Sequence, residues 1–175
     1  MCILLDVVCL LTTSAASAEV AVDPAVEHSV SMGLGYAPKY LYNREHLGTP
    51  RPYLGLSADY TARFGWFAVG VVLRHQESTV ALGAHADVVL HGRSAEISAG
   101  VAVGAAAFWR EPRQVTGLGP HVEARARVLF ALSNHVDVGC EGAVIVESFE
   151  LVPPPSEHRT LIGAVPAAVI GRFRF

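Results

Sequence analysis

Five side chains carry most of the chemistry this sequence could perform. His85 and Asp87 stand two residues apart, His91 lies just beyond them, and His121 and Glu123 repeat the two-residue spacing. Two-residue spacing on a strand puts both side chains on one face, and imidazole with carboxylate is a zinc-ligand chemistry. The spacing matches no specific metal motif, and the simpler reading places these groups in an interior hydrogen-bond network. Nucleophilic catalysis needs a Ser or Cys, a base and an orienting acid within reach. Ser148 with Glu147 and His158 comes nearest, and ordinary rim and loop polarity accounts for it more simply. Gly33-x-Gly35 and Gly117-Leu118-Gly119 lack the strand-to-helix context of a phosphate loop. No catalytic, cofactor-binding or metal residue is therefore assigned, and no cofactor is expected.

The elements that must position these groups are strands. Period-two alternation marks eight of them: residues 27–36, 53–62, 65–74, 80–91, 96–107, 121–130, 136–147 and 166–175. Met32 and Leu34 alternate with Ser31 and Gly33, and Leu56, Ala58 and Tyr60 with Ser57, Asp59 and Thr61. Tight turns are expected at Arg63-Phe64, His91-Gly92-Arg93-Ser94 and Leu132-Ser133-Asn134. The connection near residues 76–78 is short, and longer ones cover residues 37–52, 111–120 and 152–159, the last holding the stiff Pro153-Pro154-Pro155. Pro166 cannot donate to a ladder, so it is expected at the outer rim of the last strand.

Composition bounds what such a chain can be. It has 175 residues, 51% of them apolar, yet no stretch reaches the length of a membrane helix. The net charge of −3 leaves no basic footprint for nucleic acid. Residues 1–18 have the apolar run and the Ala16-Ser17-Ala18 ending of a signal peptide. Lys39 is the first Lys or Arg, which predicts a true start upstream carrying the basic segment. Cys2 and Cys9 fall in that leader, so Cys140 stands alone, a small filler on a strand face, and no intrachain disulfide is expected. Residues 19–175 form one domain.

Aromatic residues sort to the strand ends. Tyr36, Tyr53, Trp109 and Phe149 fall at one end, and Tyr60, Trp66, Phe67, Phe130, Phe173 and Phe175 at the other. Two aromatic belts around an aliphatic band suit a lipid-facing wall. The closing run Ala167 to Phe175, with Val169, Phe173 and Phe175 on one face, resembles the terminal strand of small bacterial outer-membrane β-barrels. That resemblance implies an all-β fold, an eight-stranded antiparallel up-and-down transmembrane β-barrel. It also implies that Val169, Phe173 and Phe175 signal to the barrel-assembly machinery, and that both termini are periplasmic.

Charge against lipid costs about 2–4 kcal/mol for each Arg or Lys near the midplane, so the polar face must be the interior. That face carries Asp59, Arg74, His85, Asp87, Glu96, His121, Glu123, Arg125, Arg127, Asp137, Glu141, Glu147, Arg172 and Arg174. Near balance of acids and bases predicts a paired, side-chain-filled lumen. The expected pairs are Arg127 with Asp137, Arg125 between Glu123 and Glu141, and Arg174 with Glu27. The function expected is that of a non-enzymatic outer-membrane protein, structural or surface-interacting, with outer-membrane lipid around it. A surface ligand would meet residues 37–52, which hold Lys39, Tyr40, Tyr42, Arg44, Glu45, His46 and Arg51. Two alternatives remain open. One is a lipid-modifying barrel enzyme, although the His-x-Ser-Asn element of lipid A deacylases is here Ala131-Leu132-Ser133-Asn134. The other is a soluble secreted barrel with its apolar face turned inward onto a ligand.

Overall fold

The computed structural model describes residues 26–36, 39–43, 46–47, 54–76, 79–92, 94–111, 114–151 and 158–175. The signal peptide expected over residues 1–18, together with Arg44, Glu45, Arg51, Tyr53 and Pro153-Pro154-Pro155, lies outside them. Ten strands form among the described residues: β1 (Glu27–Tyr36), β2 (Lys39–Asn43), β3 (His46–Leu47), β4 (Leu54–Phe64), β5 (Phe67–Gln76), β6 (Thr79–His91), β7 (Ala95–Glu111), β8 (Gln114–Ala131), β9 (Val136–Leu151) and β10 (His158–Arg174). Eight of them pair antiparallel in the order β1-β4-β5-β6-β7-β8-β9-β10, and β10 returns to β1 to close the ring. The fold is the eight-stranded antiparallel barrel that the resemblance implies, built on the eight strands that the alternation marks. Closure leaves no free edge, which lets every barrel strand satisfy its backbone without water.

The connections differ from expectation in four places. The turn expected at Arg63-Phe64 sits two residues later, at Gly65-Trp66, with Phe64 facing Phe67. Gly65 has φ 64°, the left-handed conformation that a two-residue hairpin demands and that glycine reaches freely. The expected loop over residues 37–52 contains β2, which takes over from β1 along β10 and pairs Lys39 with Gly163 and Tyr42 with Thr160. β3 folds back on β2. The expected connection over residues 111–120 is mostly hairpin, because β7 runs to Glu111 and β8 starts at Gln114. Gly117, Gly119 and Pro120 read as loop signals, but neighbouring strands supply the pairing. The last connection is shorter than expected, since β9 runs to Leu151 and β10 begins at His158.

Pro166 is not at a rim. It lies inside β10, within a β-bulge: Val165 faces Ala143, Ala168 faces Glu141, and two residues of β10 oppose one of β9. A bulge leaves an unpaired position, where a missing N–H costs no ladder bond. It also reverses the strand's phase. Gly163 and Val165 point inward before it, and Ala168, Ile170 and Arg172 point inward after it.

The two faces of the wall are chemically inverted relative to a water-soluble barrel. Met32, Leu34, Leu82, Val101, Val103 and Val144 are exposed on the outside, and Val169 is 63% exposed. Asp59, Asp87, Glu96, Arg125 and Arg127 are buried inside. The outer surface at the short-turn end carries Phe64, Trp66, Phe67, Phe130, Phe173 and Phe175, and Tyr36 is exposed at the opposite end of β1. Phe149 does not join that opposite belt. It is 1% exposed and packs inside against Ala81, Ala106 and Phe108, its ring centroid 5.6 Å from that of Phe108. A second apolar interior cluster joins Ala143, Ile145, Val165 and Ala168.

Gly100 leaves the room that one interior pair occupies. A Cβ built there would lie 2.0 Å from Asp87 Oδ1 and 2.2 Å from the Ala86 carbonyl oxygen. Overpacking of this kind costs about 1–3 kcal/mol. Gly100→Val is therefore expected to lower the urea midpoint of the detergent-refolded barrel, and an unchanged midpoint would contradict this packing.

Candidate functional site

Strand alternation turns eight short rows of polar side chains toward one axis, and they meet there in tiers. Near the short-turn end, Arg63 Nη2 lies 2.5 Å from Glu27 and its Nη1 2.8 Å from Glu96. Arg172 donates to Glu96 and places Nε 2.7 Å from Asp137. Arg174 then reaches Asp137 at 2.9 Å and the Ser133 carbonyl at 3.0 Å. Along Glu27, Arg63, Glu96, Arg172, Asp137 and Arg174 the sign of charge alternates at every step.

Further in, Arg127 spans the lumen. It leaves β8 and grips Asp59 of β4, the strand opposite in the ring, with bonds of 3.1 and 2.5 Å. Its Nε holds Glu141 at 2.5 Å. Arg74 on β5 lies 2.6 Å from the other Glu141 oxygen and binds Glu123 through Nε at 2.6 Å. His121 continues the chain, with Nδ1 3.1 Å from Glu147 and Nε2 3.5 Å from Glu123. Arg125 forks onto Asp87 at 3.1 and 2.6 Å, and His85 Nδ1 lies 2.9 Å from the same carboxylate. Thr61 ties this pair to the rest, donating to Asp59 at 3.1 Å with its Oγ1 3.4 Å from His85 Nε2. Planar forked guanidiniums suit this bidentate bridging across a narrow lumen.

The structure places the residues singled out from the sequence as follows. Asp59, Arg74, His85, Asp87, Glu96, His121, Glu123, Arg125, Arg127, Asp137, Glu141, Glu147 and Arg172 are all buried in the lumen, and Arg174 is partly buried. Val169, Phe173 and Phe175 lie on the outer face. The expected pairs are corrected. Arg127 meets Glu141 and Asp59, not Asp137. Arg74, not Arg125, bridges Glu123 and Glu141. Arg174 meets Asp137, and Glu27 is taken by Arg63. The β8–β9 register, with Ala131 facing Asp137 and Arg127 facing Glu141, lies four residues from the one the short turn suggested. The turn expected at Arg63-Phe64 hides Arg63 as a lumen residue, although the alternation of β4 continues through it.

This arrangement consumes its own reactive groups. Arg125 occupies Asp87 and Arg74 occupies Glu123, so the His-x-Asp and His-x-Glu pairs hold guanidiniums. Among the described residues no group of three or more His, Cys, Asp or Glu is arranged to hold a metal ion. Glu147 faces inward on His121 while Ser148, next along β9, takes the opposite face. Those two therefore cannot share a catalytic triad. Toward the short-turn end the lumen widens into a vestibule of about 590 Å³ floored by Glu96, Asp137, Arg172 and Arg174, with His91, Ser94 and Asn134 around its mouth.

Removing one partner of a buried ion pair strands the other charge, at about 3–5 kcal/mol. Arg127→Ala, which abandons Asp59 and half of Glu141's pairing, is expected to destabilise the barrel by that amount in urea titration. The double variant Arg127→Met with Asp59→Asn is expected to recover much of the loss, since Arg74 still holds Glu141. A single variant as stable as the parent would mean the cross-lumen fork carries no weight.

No protein-family model matches this sequence, and no curated protein does. Solved structures match its fold. Neisserial surface protein A (NspA) aligns over 86% of this chain and 97% of its own, with a TM-score of 0.56 and 10% identity. Ail, the attachment invasion locus protein of Yersinia pestis, aligns over 85% of this chain and 98% of its own, with a TM-score of 0.52 and 13% identity. The closed ring β1-β4-β5-β6-β7-β8-β9-β10, apolar without and charged within, thus has the fold of the small eight-stranded outer-membrane β-barrels.

Proposed function

We propose that this chain is an integral outer-membrane protein with a side-chain-filled lumen, structural or surface-interacting, and not an enzyme. The observation that carries this proposal is the inversion of polarity. Exposed Met32, Leu82, Val103 and Val169 form an outer surface that water would penalise, while the buried charges are neutralised only inside. A soluble barrel with an apolar ligand cavity would need the opposite arrangement. The non-catalytic part of the proposal rests on the lumen groups being engaged with one another and on Ser148 and Glu147 facing opposite sides.

Orientation and partners follow from the same proposal. The tight turns at Gly65-Trp66 and around Leu132-Ser133-Asn134 belong on the periplasmic side, where outer-membrane barrels keep their short connections, and both termini lie there with them. β10, with Val169, Phe173 and Phe175 turned outward, is the strand offered to the barrel-assembly machinery. Surface interaction is assigned to residues 37–52, whose strands β2 and β3 stand at the opposite end from the short turns. Ail is named an attachment invasion locus protein, and an adhesive role for that segment is the corresponding proposal here.

Membrane fractionation with heat-modifiable gel mobility tests the location and the closure together. The expected result is recovery in the outer membrane, with a compact unheated band that shifts on boiling. A protein soluble without detergent would overturn it. In planar bilayers the refolded protein is expected to give no stable conductance step, and a persistent ohmic step would overturn the filled lumen.

A further inference from the structure

Five rings run as one row across the outside of the short-turn end: Tyr60, His28, Phe175, Phe173 and His135. Their successive centroids are 5.9, 6.2, 6.3 and 6.1 Å apart, with interplanar angles between 19° and 27°. The row crosses β4, β1 and β10 to the turn before β9 and lies on the apolar outer face, where Tyr60, Phe173 and Phe175 are exposed. Two of its members are imidazoles, which waste their polarity against hydrocarbon and use it at the level of headgroups, where one end of a ring is apolar and the other wet.

Both imidazoles are held in place. Phe175 N–H donates to the His28 carbonyl at 3.0 Å, and Arg174 N–H donates to the His135 carbonyl at 2.7 Å. His28 Nδ1 lies 2.6 Å from the Tyr60 hydroxyl. His135 Nδ1 lies 3.2 Å from the Arg174 carbonyl oxygen, which can only accept, so Nδ1 carries the proton. Its Nε2 is then the atom left for a ligand, and it becomes a donor when the ring takes a second proton, which makes the ring a cation. The neighbouring guanidiniums do not compete for this outer face. Arg174 is turned onto Asp137 and the Ser133 carbonyl, and Arg63 onto Glu27 and Glu96.

We propose that this row is a binding strip for the phosphodiester groups of anionic phospholipids, with His28, and His135 in its doubly protonated form, each donating to one headgroup. Two phenylalanine rings separate the imidazoles, so they serve neighbouring lipids and do not clamp one. Anionic headgroups are favoured over zwitterionic ones because they bring no cation of their own to compete with the ring. The proposal rests on the outer-membrane assignment above and adds to it the lipid class that the short-turn rim selects.

The test uses the full chain refolded into vesicles of phosphatidylglycerol and phosphatidylcholine and extracted into detergent, with retained lipid counted by native mass spectrometry. The parent is expected to retain phosphatidylglycerol in roughly tenfold preference, equivalent to about 1.4 kcal/mol. The double variant His28→Phe, His135→Phe keeps the rings and loses the donors, and its preference is expected to vanish. The double variant His28→Arg, His135→Arg is expected to restore it. Heat-modifiable mobility verifies that each variant is folded. An undiminished preference in the phenylalanine variant, or none in the parent, overturns the strip while leaving the outer-membrane assignment standing. A parent that enters no membrane of any composition overturns both.

Discussion

The cross-lumen fork between Arg127 and Asp59 condenses the constraint on which this structure depends. A closed ladder with an apolar exterior must dispose of every charge inside, and the inside of an eight-stranded ring is only about wide enough for side chains to fill. Charges there cannot be left to solvent, and among the described residues each lumen arginine lies against a carboxylate of another strand. Arginine has the reach and the planar fork to do this, and it bridges to carboxylates in every tier. The small interior residues follow from the same limit. Gly100 stands where the Asp87 and Ala86 oxygens leave no space for a Cβ, and Ala102 and Ala106 keep the rest of that β7 face small.

The seam of the barrel is organised around one residue that cannot donate a hydrogen bond. β1 pairs with β10 as far as Tyr36, which faces Ala167, and β2 resumes the pairing at Gly163. The hand-over from β1 to β2 therefore falls beside the bulge that holds Pro166. On the opposite flank the same bulge offsets β10 against β9 by one residue. That offset sets which side chains of β10 face inward on either side of it, and so places Val165 in one apolar interior cluster while Arg172 belongs to the charged tier near the turns.

The interior is layered and not uniformly charged. Phe149 and Phe108 pack with Ala81 and Ala106 near the strand ends away from the short turns, and the vestibule opens among ionic groups at the other end. An apolar layer over a neutralised ionic one fills the lumen without leaving buried charges unpaired. The exterior is also graded along its length, from the aliphatic band to the ring row joining Tyr60 to His135. The molecule thus carries an aliphatic band and a row of rings on its outside, and it gathers its carboxylates and guanidiniums in the lumen.

Which residues face in and which face out was legible in the sequence, because the period of two is local and the cost of charge in lipid decides the sign of each face. The strand count followed from that alternation, and the antiparallel closure was what the resemblance of the closing run implied. The alternation of β1 and the inward Arg172 opposite the outward Phe173 could be read directly. Partners could not be read. Arg127 meets Glu141 and Asp59, and not Asp137, because register depends on where a turn centres, and a turn residue such as Gly65 can sit two positions from where composition suggests. Pairs across the lumen join strands far apart in sequence, as Arg74 and Glu123 do, so no local pattern signals them. Phe149 illustrates the remaining limit. An aromatic near a strand end suits an interfacial belt, and its inward place was decided only by the phase of β9 and by the space that Ala81 and Ala106 leave for its ring.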